Sequence, residues 1–410
     1  VDDTPVEGAR PRRLLSIATL YPTPRRPAFG RFVARQLHAL AARDDWDVTV
    51  INPIGLPPVK LARYADVAAT VPFEQDGDLA VHHVPFTLVP GLSGRFNPAL
   101  IARAVLPLAR KLHAEHSFDL VDAQFFYPDG PAAMRIADAL GLPLAIKARG
   151  SDIHVWGGNA SARKQMLAAA DRAAVLLSVS HALARDMAAL GMDRGKIAVH
   201  YTGLDHDRFK PLPRAAARQL ASAMPDQNIP VEGRLLLSVG ALIRIKGQSL
   251  AIEALAQLPA DVRLALAGTG ENEPVLRALA ARLDLAERVH FLGAVGHETL
   301  PALLSAGDVM VLPSEREGLA NAWIEALACG TPLVIPDVGG AREVVNDPVA
   351  GRIVERTPTA IADAVRDLLA DPPAQDAVAA SAARFSWDAN AAALAGFYTA
   401  AVVGRAPAID

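Results

Sequence analysis

The sequence predicts an α/β protein of two doubly wound, Rossmann-like domains. Three observations carry that prediction. Short apolar runs alternate with helical patterns along the whole chain, as they do where helices cover both faces of a parallel sheet. Thirteen such runs are more than one open sheet usually holds. After the seventh run, residues 203–213 collect Gly203, Asp205, Asp207, Pro211 and Pro213, a composition of turns and linkers. Two sheets joined by a short linker satisfy all three, and a short linker implies domains that face one another across a cleft.

In chain order, the strands expected in the first domain are 14–20, 47–51, 79–84, 120–123, 144–147, 175–179 and 197–201. Those of the second are 235–239, 263–267, 289–292, 309–312, 333–335 and 352–354. Each is an apolar run of strand length, and helical patterns fill the gaps, for example over 32–42, 98–114, 249–257 and 387–403. Proline-rich stretches at 22–27 and 53–58 read as loops, and there is no internal repeat or low-complexity tract.

Bulk composition narrows the function classes. Apolar residues make up 51% of the 410, enough for a large core and too many for a disordered chain. A net charge of −3 argues against general nucleic-acid binding. Charge is uneven, however: eight arginines and no acid lie between Arg10 and Arg43. That stretch is either a solvated surface or one that meets anionic lipid or a phosphorylated acceptor. The single cysteine, Cys329, sits in an apolar helical stretch and cannot form a disulfide within the chain, which fits a reducing, cytoplasmic compartment. No secretory leader is read at the N-terminus, and no apolar run approaches the ~18 residues of a membrane span.

The most informative segment runs from Pro313 to Pro332. Glu317 and Glu325 stand eight positions apart between two apolar strands. Eight helical residues sweep about 800°, roughly 80° from eclipsed, so two helical glutamates would diverge. Glu317 is therefore expected in the loop and Glu325 about two turns into the following helix, both facing the strand ends where open α/β sheets bind ligands. Gly318 allows backbone to approach a ligand, and the N–H groups of Gly318, Leu319, Ala320 and Asn321 are expected to form a helix N-terminus suited to phosphate. A second segment, Ser238 to Gly247, follows another strand and opens another helix. It places Arg244 and Lys246 where cations can neutralise a leaving diphosphate, and Lys246 is one of only seven lysines.

The pattern Glu317-x7-Glu325 followed by Ala328-Cys329-Gly330-Thr331-Pro332 resembles the signature of glycosyltransferase family 4. The Ser238–Gly247 segment is similar to the same family's Val-Gly-Arg-Leu-x-x-x-Lys-Gly. Ala241 replaces the family's early arginine, and Arg244 lies further along the loop. The resemblance runs over about residues 12–400, and Ala148-Arg149-Gly150-Ser151-Asp152-Ile153-His154 resembles a loop found in exopolysaccharide and teichuronic-acid-type bacterial members. It implies the GT-B fold, with an acceptor-binding domain at 1–205, a donor-binding domain at 206–385, and a last helix at 386–410 crossing back to the first domain. It implies that Glu317 contacts the donor sugar, Glu325 holds the nucleotide ribose, and Lys246 binds the diphosphate. Leu266-Ala267-Gly268-Thr269-Gly270 and Val289-His290-Phe291-Leu292-Gly293 are similar to donor-side segments. There Gly240, Gly268 and Phe291 join the expected donor contacts, while His290 reads as structural.

In the first half, Gly30 opens a helix after the first strand and would let a donor phosphate or acceptor approach. Gln124, in Gln124-Phe125-Phe126-Tyr127-Pro128-Asp129-Gly130, stands where family members often carry a histidine that touches the donor sugar. Glutamine can bond a hydroxyl but cannot act as a base. Arg149 and Asp152 are expected acceptor or sugar contacts; the alternative for Asp152 is capping the next turn. His113 and His116, at i and i+3, lack the acids or cysteines of a metal site and read as a solvated pair.

The resemblance implies a retaining enzyme using a nucleotide-sugar donor and a glycan or lipid-linked saccharide acceptor. No cofactor, metal or nucleic acid is expected, and weak contact with an anionic membrane is. Two alternatives stay open: another GT-B enzyme such as a nucleotide-sugar epimerase, or a non-catalytic nucleotide-sugar-binding subunit.

Overall fold

The structure, a computed structural model, describes residues 10–27, 29–59, 64–91, 93–223, 229 and 232–406. It divides into two compact units. One runs to Gly203 and resumes at Trp387; the other is Leu204–Ser386. The sequence reading placed the divisions within two residues of these points. Its first nine residues, where a leader was considered, and residues 407–410 of the last segment lie outside the described residues.

The first unit holds β1 (Arg12–Ile17), α1 (Arg31–Ala41), β2 (Trp46–Leu56), α2 (Ala65–Ala68), β3 (Phe73–Asp76), β4 (Leu79–Thr87), α3 (Asn97–His116) and β5 (Leu120–Ala123). It continues through α4 (Asp129–Leu140), β6 (Leu144–Ala148), α5 (Ala160–Arg172), β7 (Val175–Ser178), α6 (His181–Ala189) and β8 (Ile197–Val199). The second unit holds α7 (Arg214–Ser222), β9 (Arg234–Val239), α8 (Gln248–Leu255), β10 (Val262–Ala267), α9 (Glu273–Arg282), β11 (Val289–Gly293), α10 (Leu300–Ala306) and β12 (Val309–Val311). Then come α11 (Asn321–Ala328), β13 (Leu333–Pro336), α12 (Ala341–Val344), β14 (Gly351–Val354), α13 (Pro358–Ala370) and α14 (Gln375–Ala380). Helix α15 (Trp387–Val402) returns to the first unit.

Sheet order is β3-β4-β2-β1-β5-β6-β7-β8 in the first unit and β11-β10-β9-β12-β13-β14 in the second. The order reverses between β1 and β5 and again between β9 and β12, the crevices where open parallel sheets bind ligands. Both sheets are buried on two faces: Leu14, Leu15 and Ile17 of β1 and Leu235 and Leu237 of β9 are fully enclosed. Helix α1 turns Val33, Ala34, Leu37 and Leu40 inward at helical spacing. Its core includes Leu394 and Tyr398 of α15, with Trp46 edge-on to Tyr398 at 5.8 Å.

Among the described residues fourteen strands form rather than thirteen. The additional one, β3, pairs antiparallel with β4 through a two-residue turn at Gly77-Asp78. As an exposed edge strand reading Phe-Glu-Gln-Asp it carries little apolar signal, although the Asp76-Gly77 dipeptide marks the turn. Strand β2 runs on through Pro53 and Gly55 to Leu56, where a loop was expected. Its pairing with β1 stops at Ile51, while pairing with β4 continues to Leu56. Beyond Ile51 β2 thus has one neighbour only, and a proline is tolerated on an edge. The expected strands at 14–20 and 197–201 end earlier, at Ile17 and Val199.

Candidate active site

At the β9–β12 crevice, two loops meet. The first follows β9 and contains a single turn, Arg244–Lys246. The second follows β12 and ends at the N-terminus of α11. Glu315 N–H donates to the Ile245 carbonyl at 2.7 Å, tying the two backbones together. Lys246 Nζ then donates to Glu317 Oε1 at 2.5 Å. Their side chains are 22% and 10% exposed, so the pair is largely sheltered yet reachable. Arg244 is exposed, and its guanidinium has no partner among the described residues.

A third loop fixes the carboxylate's backbone. Gly339, with φ +51°, lies so close to Glu317 and Gly318 that a Cβ there would sit 2.3 Å from the Glu317 carbonyl oxygen. Next to it, Gly340 N–H donates to the Gly318 carbonyl at 2.8 Å. Arg356, after β14, anchors the start of the same loop by donating to the Pro313 carbonyl at 2.9 Å. Neither Gly339 nor Arg356 was singled out from sequence. The Gly339-Gly340 pair after a strand was the available signal.

Helix α11 starts at Asn321, not at Gly318. Gly318, Leu319 and Ala320 form the approach to it and are buried, while Asn321 is exposed at the first helical position. Glu325 therefore sits just over one turn into the helix rather than two, half-buried. Gly240 and Gly268 end the neighbouring strands β9 and β10, and Gly240 N–H donates to the Ala267 carbonyl at 2.9 Å. Phe291 on β11 carries the Arg277 guanidinium over its ring at 4.1 Å. His290 is half-buried with Nε2 unpartnered, and burial lowers its pKa. Cys329 is buried, and desolvation pushes its thiol up to about 12, so it is an inert core group.

The first unit's β1–β5 crevice is built differently. Gln124, one residue past β5, is fully buried. Its Oε1 accepts from Gln36 Nε2 at 2.9 Å and from an Arg149 terminal nitrogen at 2.7 Å, and its Nε2 donates to Asp122 Oδ2 at 2.5 Å. The amide is therefore spent on protein groups and stands behind Arg149. Asp152 is also fully buried: it accepts from the N–H groups of Phe126, Arg149, Gly150 and Ile153 at 2.8–3.1 Å. It organises the turn after β6, as a capping aspartate does, and presents no oxygen to solvent. Arg149 alone of the three reaches the surface, half-buried, with burial bringing its pKa down to about 10.

Around them lies a buried polar network the sequence reading did not find. Lys147 Nζ donates to Gln36 Oε1 and to His200 Nδ1, both at 2.7 Å, and His200 Nε2 donates to the Asn390 carbonyl of α15 at 2.9 Å. Burial drives the pKa of both Lys147 and His200 well down. Asp129, at the start of α4, accepts from the backbone and hydroxyl of Thr19 at 3.0 and 2.6 Å; desolvation pushes its carboxyl up to about 7. The sequence signal was a lysine inside the apolar run Leu-Ala-Ile-Lys-Ala. Gly30 caps α1 with φ +66°, and a Cβ there would lie 2.2 Å from the Leu20 carbonyl oxygen, so glycine is needed by the loop's own closure.

The arginine-rich stretch divides in space. Arg10, Arg13 and Arg43 pair with Asp119, Asp47 and Asp45 at the edge where β1 and β2 begin. Arg25, Arg26 and Arg31 lie in the loop and helix beyond the other end of β1. Among the described residues no group of three or more His, Cys, Asp or Glu is placed to hold a metal ion; His113 instead accepts from Phe118 N–H at 3.1 Å. Among the same residues no helix is long and apolar enough to cross a membrane.

Comparison with known proteins gives this geometry a family. Residues 221–385 match the model for glycosyl transferases group 1, and residues 29–208 match that for glycosyltransferase family 4. A D-inositol 3-phosphate glycosyltransferase of Kineococcus radiotolerans is 32% identical over 337 residues, covering 73% of this chain and 75% of that one. Another, of Xylanimonas cellulosilytica, is 34% identical over 258 residues, and there the chain spans 61% of the relative's length. The putative teichuronic acid biosynthesis glycosyltransferase TuaC of Bacillus subtilis is 27% identical over 361 residues, 86% of this chain and 88% of TuaC. Among solved structures, sucrose-phosphate synthase from Thermosynechococcus elongatus superposes with a TM-score of 0.75 at 21% identity, over 95% of this chain and 98% of that one. Anabaena HepE, solved with UDP-glucose, gives 0.69 at 21% identity, over 93% and 98%. Two matching domain models, a long alignment above 30% identity and two Rossmann-like units together show that the chain belongs to glycosyltransferase family 4 and has the GT-B fold.

Proposed function

We propose that this protein moves a sugar from a nucleotide-sugar donor to a hydroxyl of a glycan or lipid-linked saccharide, with retention at the anomeric carbon, in the assembly of a surface polysaccharide. The observation that carries the reading is the Lys246–Glu317 pair, drawn together from two strand-end loops at the β9–β12 crevice. In the free protein the two charges balance. A bound diphosphate would compete for Lys246, with Arg244 as a second cation and the N-terminus of α11 adding about half a positive charge. These groups stabilise charge as it develops on the leaving group. Glu317, freed from Lys246, is placed to hold donor-sugar hydroxyls, and Glu325 to hold the ribose. The departing phosphate would then take the acceptor proton on the same face, so no protein base and no metal is required. The names of TuaC and of the D-inositol 3-phosphate enzymes support two acceptor classes, a surface polymer precursor and a phosphorylated polyol.

A thermal-shift panel of UDP, GDP and ADP, followed by transfer assays with the matching sugar nucleotides, tests the reading. A ligand at 100 times its dissociation constant stabilises by about 2.7 kcal/mol, enough to rank the bases. Product with the donor's anomeric configuration is expected by NMR. Donor consumption to an epimer without acceptor would replace this reading with the epimerase one. For membrane contact, co-sedimentation with anionic vesicles at low salt should weaken when Arg25, Arg26 and Arg31, in the loop and helix beyond β1, are neutralised together. No binding at low salt would remove the membrane from the reading.

A further inference from the structure

We propose that Tyr398, on the C-terminal helix, is a positioning residue for the transfer reaction: through Asp122 and Gln124 it fixes the direction in which Arg149 presents its guanidinium. The inference rests on the proposed transfer reaction and on Arg149 being the acceptor or sugar contact expected from the family resemblance.

Arg149 has a specific set of unspent donors. Its Nε donates to the Gln124 carbonyl at 2.8 Å. One terminal nitrogen donates to Gln124 Oε1 at 2.7 Å and to Gln36 Oε1 at 3.4 Å. The Phe32 ring lies under the guanidinium at 4.8 Å. The other terminal nitrogen, with two N–H groups, has no partner among the described residues, and no carboxylate there forms an ion pair with Arg149. A half-buried cation with two free donors and no counter-ion is suited to an anion or a hydroxyl pair.

Its orientation hangs on which end of the Gln124 amide faces it. The oxygen must, because Gln36 Nε2 and Arg149 both donate toward that position. An amide can turn end for end, and turned round it would set donor against donor, leaving buried groups unmet. Asp122 makes the choice. An ionised carboxylate only accepts, so it draws Gln124 Nε2 to itself and turns Oε1 toward Arg149. The Tyr398 hydroxyl donates to the same Asp122 oxygen.

Asp122 faces Ser16 across the β1 register, Gln124 beyond its own strand, Lys147 from β6 and Arg149 just after it, Asp129 from α4 and Tyr398 from α15. Burial pushes its carboxyl up to about 6, and the bonds from Tyr398 and Gln124 oppose that rise. Without the phenol hydroxyl the carboxyl protonates at higher pH. A protonated Asp122 is a weaker acceptor for Nε2 and can itself donate to an amide oxygen, so its hold on the amide loosens and only the Gln36 and Arg149 donors still favour the orientation.

Two measurements on the full chain test this. In protein labelled with 15N-glutamine, the Gln124 side-chain amide, assigned by its loss in Gln124→Glu, is followed by NMR across the acid range. One inflection is expected in the wild type, moved to higher pH in Tyr398→Phe and absent in Asp122→Asn. With the donor and acceptor found by the transfer panel, the acid limb of kcat should move with it. Tyr398→Phe should lose about tenfold in kcat on that limb, the worth of one hydrogen bond, and recover in mild alkali with donor KM unchanged. An unmoved inflection in folded Tyr398→Phe overturns the positioning chain. A moved inflection with an unmoved kcat limb overturns its role in transfer. If no donor turns over, the proposed function fails, and the NMR result still decides the chain. If Tyr398→Phe does not fold, Asp122→Asn takes its place: it should keep low kcat at every pH, and a wild-type profile from it sinks the inference.

Discussion

The two switch-point crevices of this chain spend their charges in opposite ways. In the second unit, Lys246 and Glu317 come from loops, sit largely sheltered and, among the described residues, hold only each other. In the first unit, Gln124, Asp122, Lys147 and His200 are enclosed and joined through Gln36, and the buried Asp152 is spent on backbone N–H groups, leaving Arg149 as the outlet. A sparse ion pair near solvent can exchange partners when a diphosphate arrives. A buried, mutually bonded network is rigid and costly to disturb, because each lost bond strands a desolvated polar group. The second unit's crevice is therefore built to rearrange its charges and the first unit's to hold one arginine still.

The largest effect that could break this comparison is on Lys246. Lys246→Ala should lower turnover by about 10²–10³, the usual loss for one electrostatic contact to a transition state, with little change in melting temperature. A folded variant with near-normal turnover would place the working charge elsewhere. Next comes the division between the two glutamates. Titrating a plain nucleoside diphosphate should show weakened binding in Glu325→Ala, whereas Glu317→Ala should mainly lose sugar transfer. Equal loss of nucleotide affinity in both would contradict their separate places, one in a loop and one in a helix.

The smallest effect sharpens the account of the buried network. Asp129 has a folded pKa of about 7, above the ordinary carboxylate value, chiefly because burial disfavours its charge. A raised carboxyl binds a proton more tightly in the folded state, so its stabilisation is present at low pH and is lost as pH rises toward the folded pKa. Asp129→Asn keeps a neutral acceptor for Thr19 and has no such loss. The melting temperature of Asp129→Asn minus that of wild type should therefore grow from pH 5 to pH 8. A constant difference would mean that Asp129 is ionised throughout and paid for by its Thr19 bonds.

The loops after β9 and β12 were legible because their chemistry is local. Lys246 and Glu317 each lie a few residues past an apolar strand, and the rule that ligands gather at strand ends places them together. The helix start was misjudged by three residues, since Gly318-Leu319-Ala320 carries no capping side chain to mark it. The first unit was harder for a definite reason. Gln124 and Asp152 look like ligand contacts by position, and only their burial shows where their bonds go.

By itself the sequence determined the alternating β and α elements, the two-domain division and the placing of Lys246 and Glu317 in strand-end loops. All follow from hydrophobic period, turn chemistry and short spacing, which are properties of neighbours in the chain. Tertiary structure alone decided that an arginine stretch without acids would find Asp119, Asp47 and Asp45 as partners. It also decided that Tyr398 would meet Asp122, 276 residues away. Contacts over such distances depend on which strands lie side by side and where the last helix comes to rest, and no local pattern encodes that.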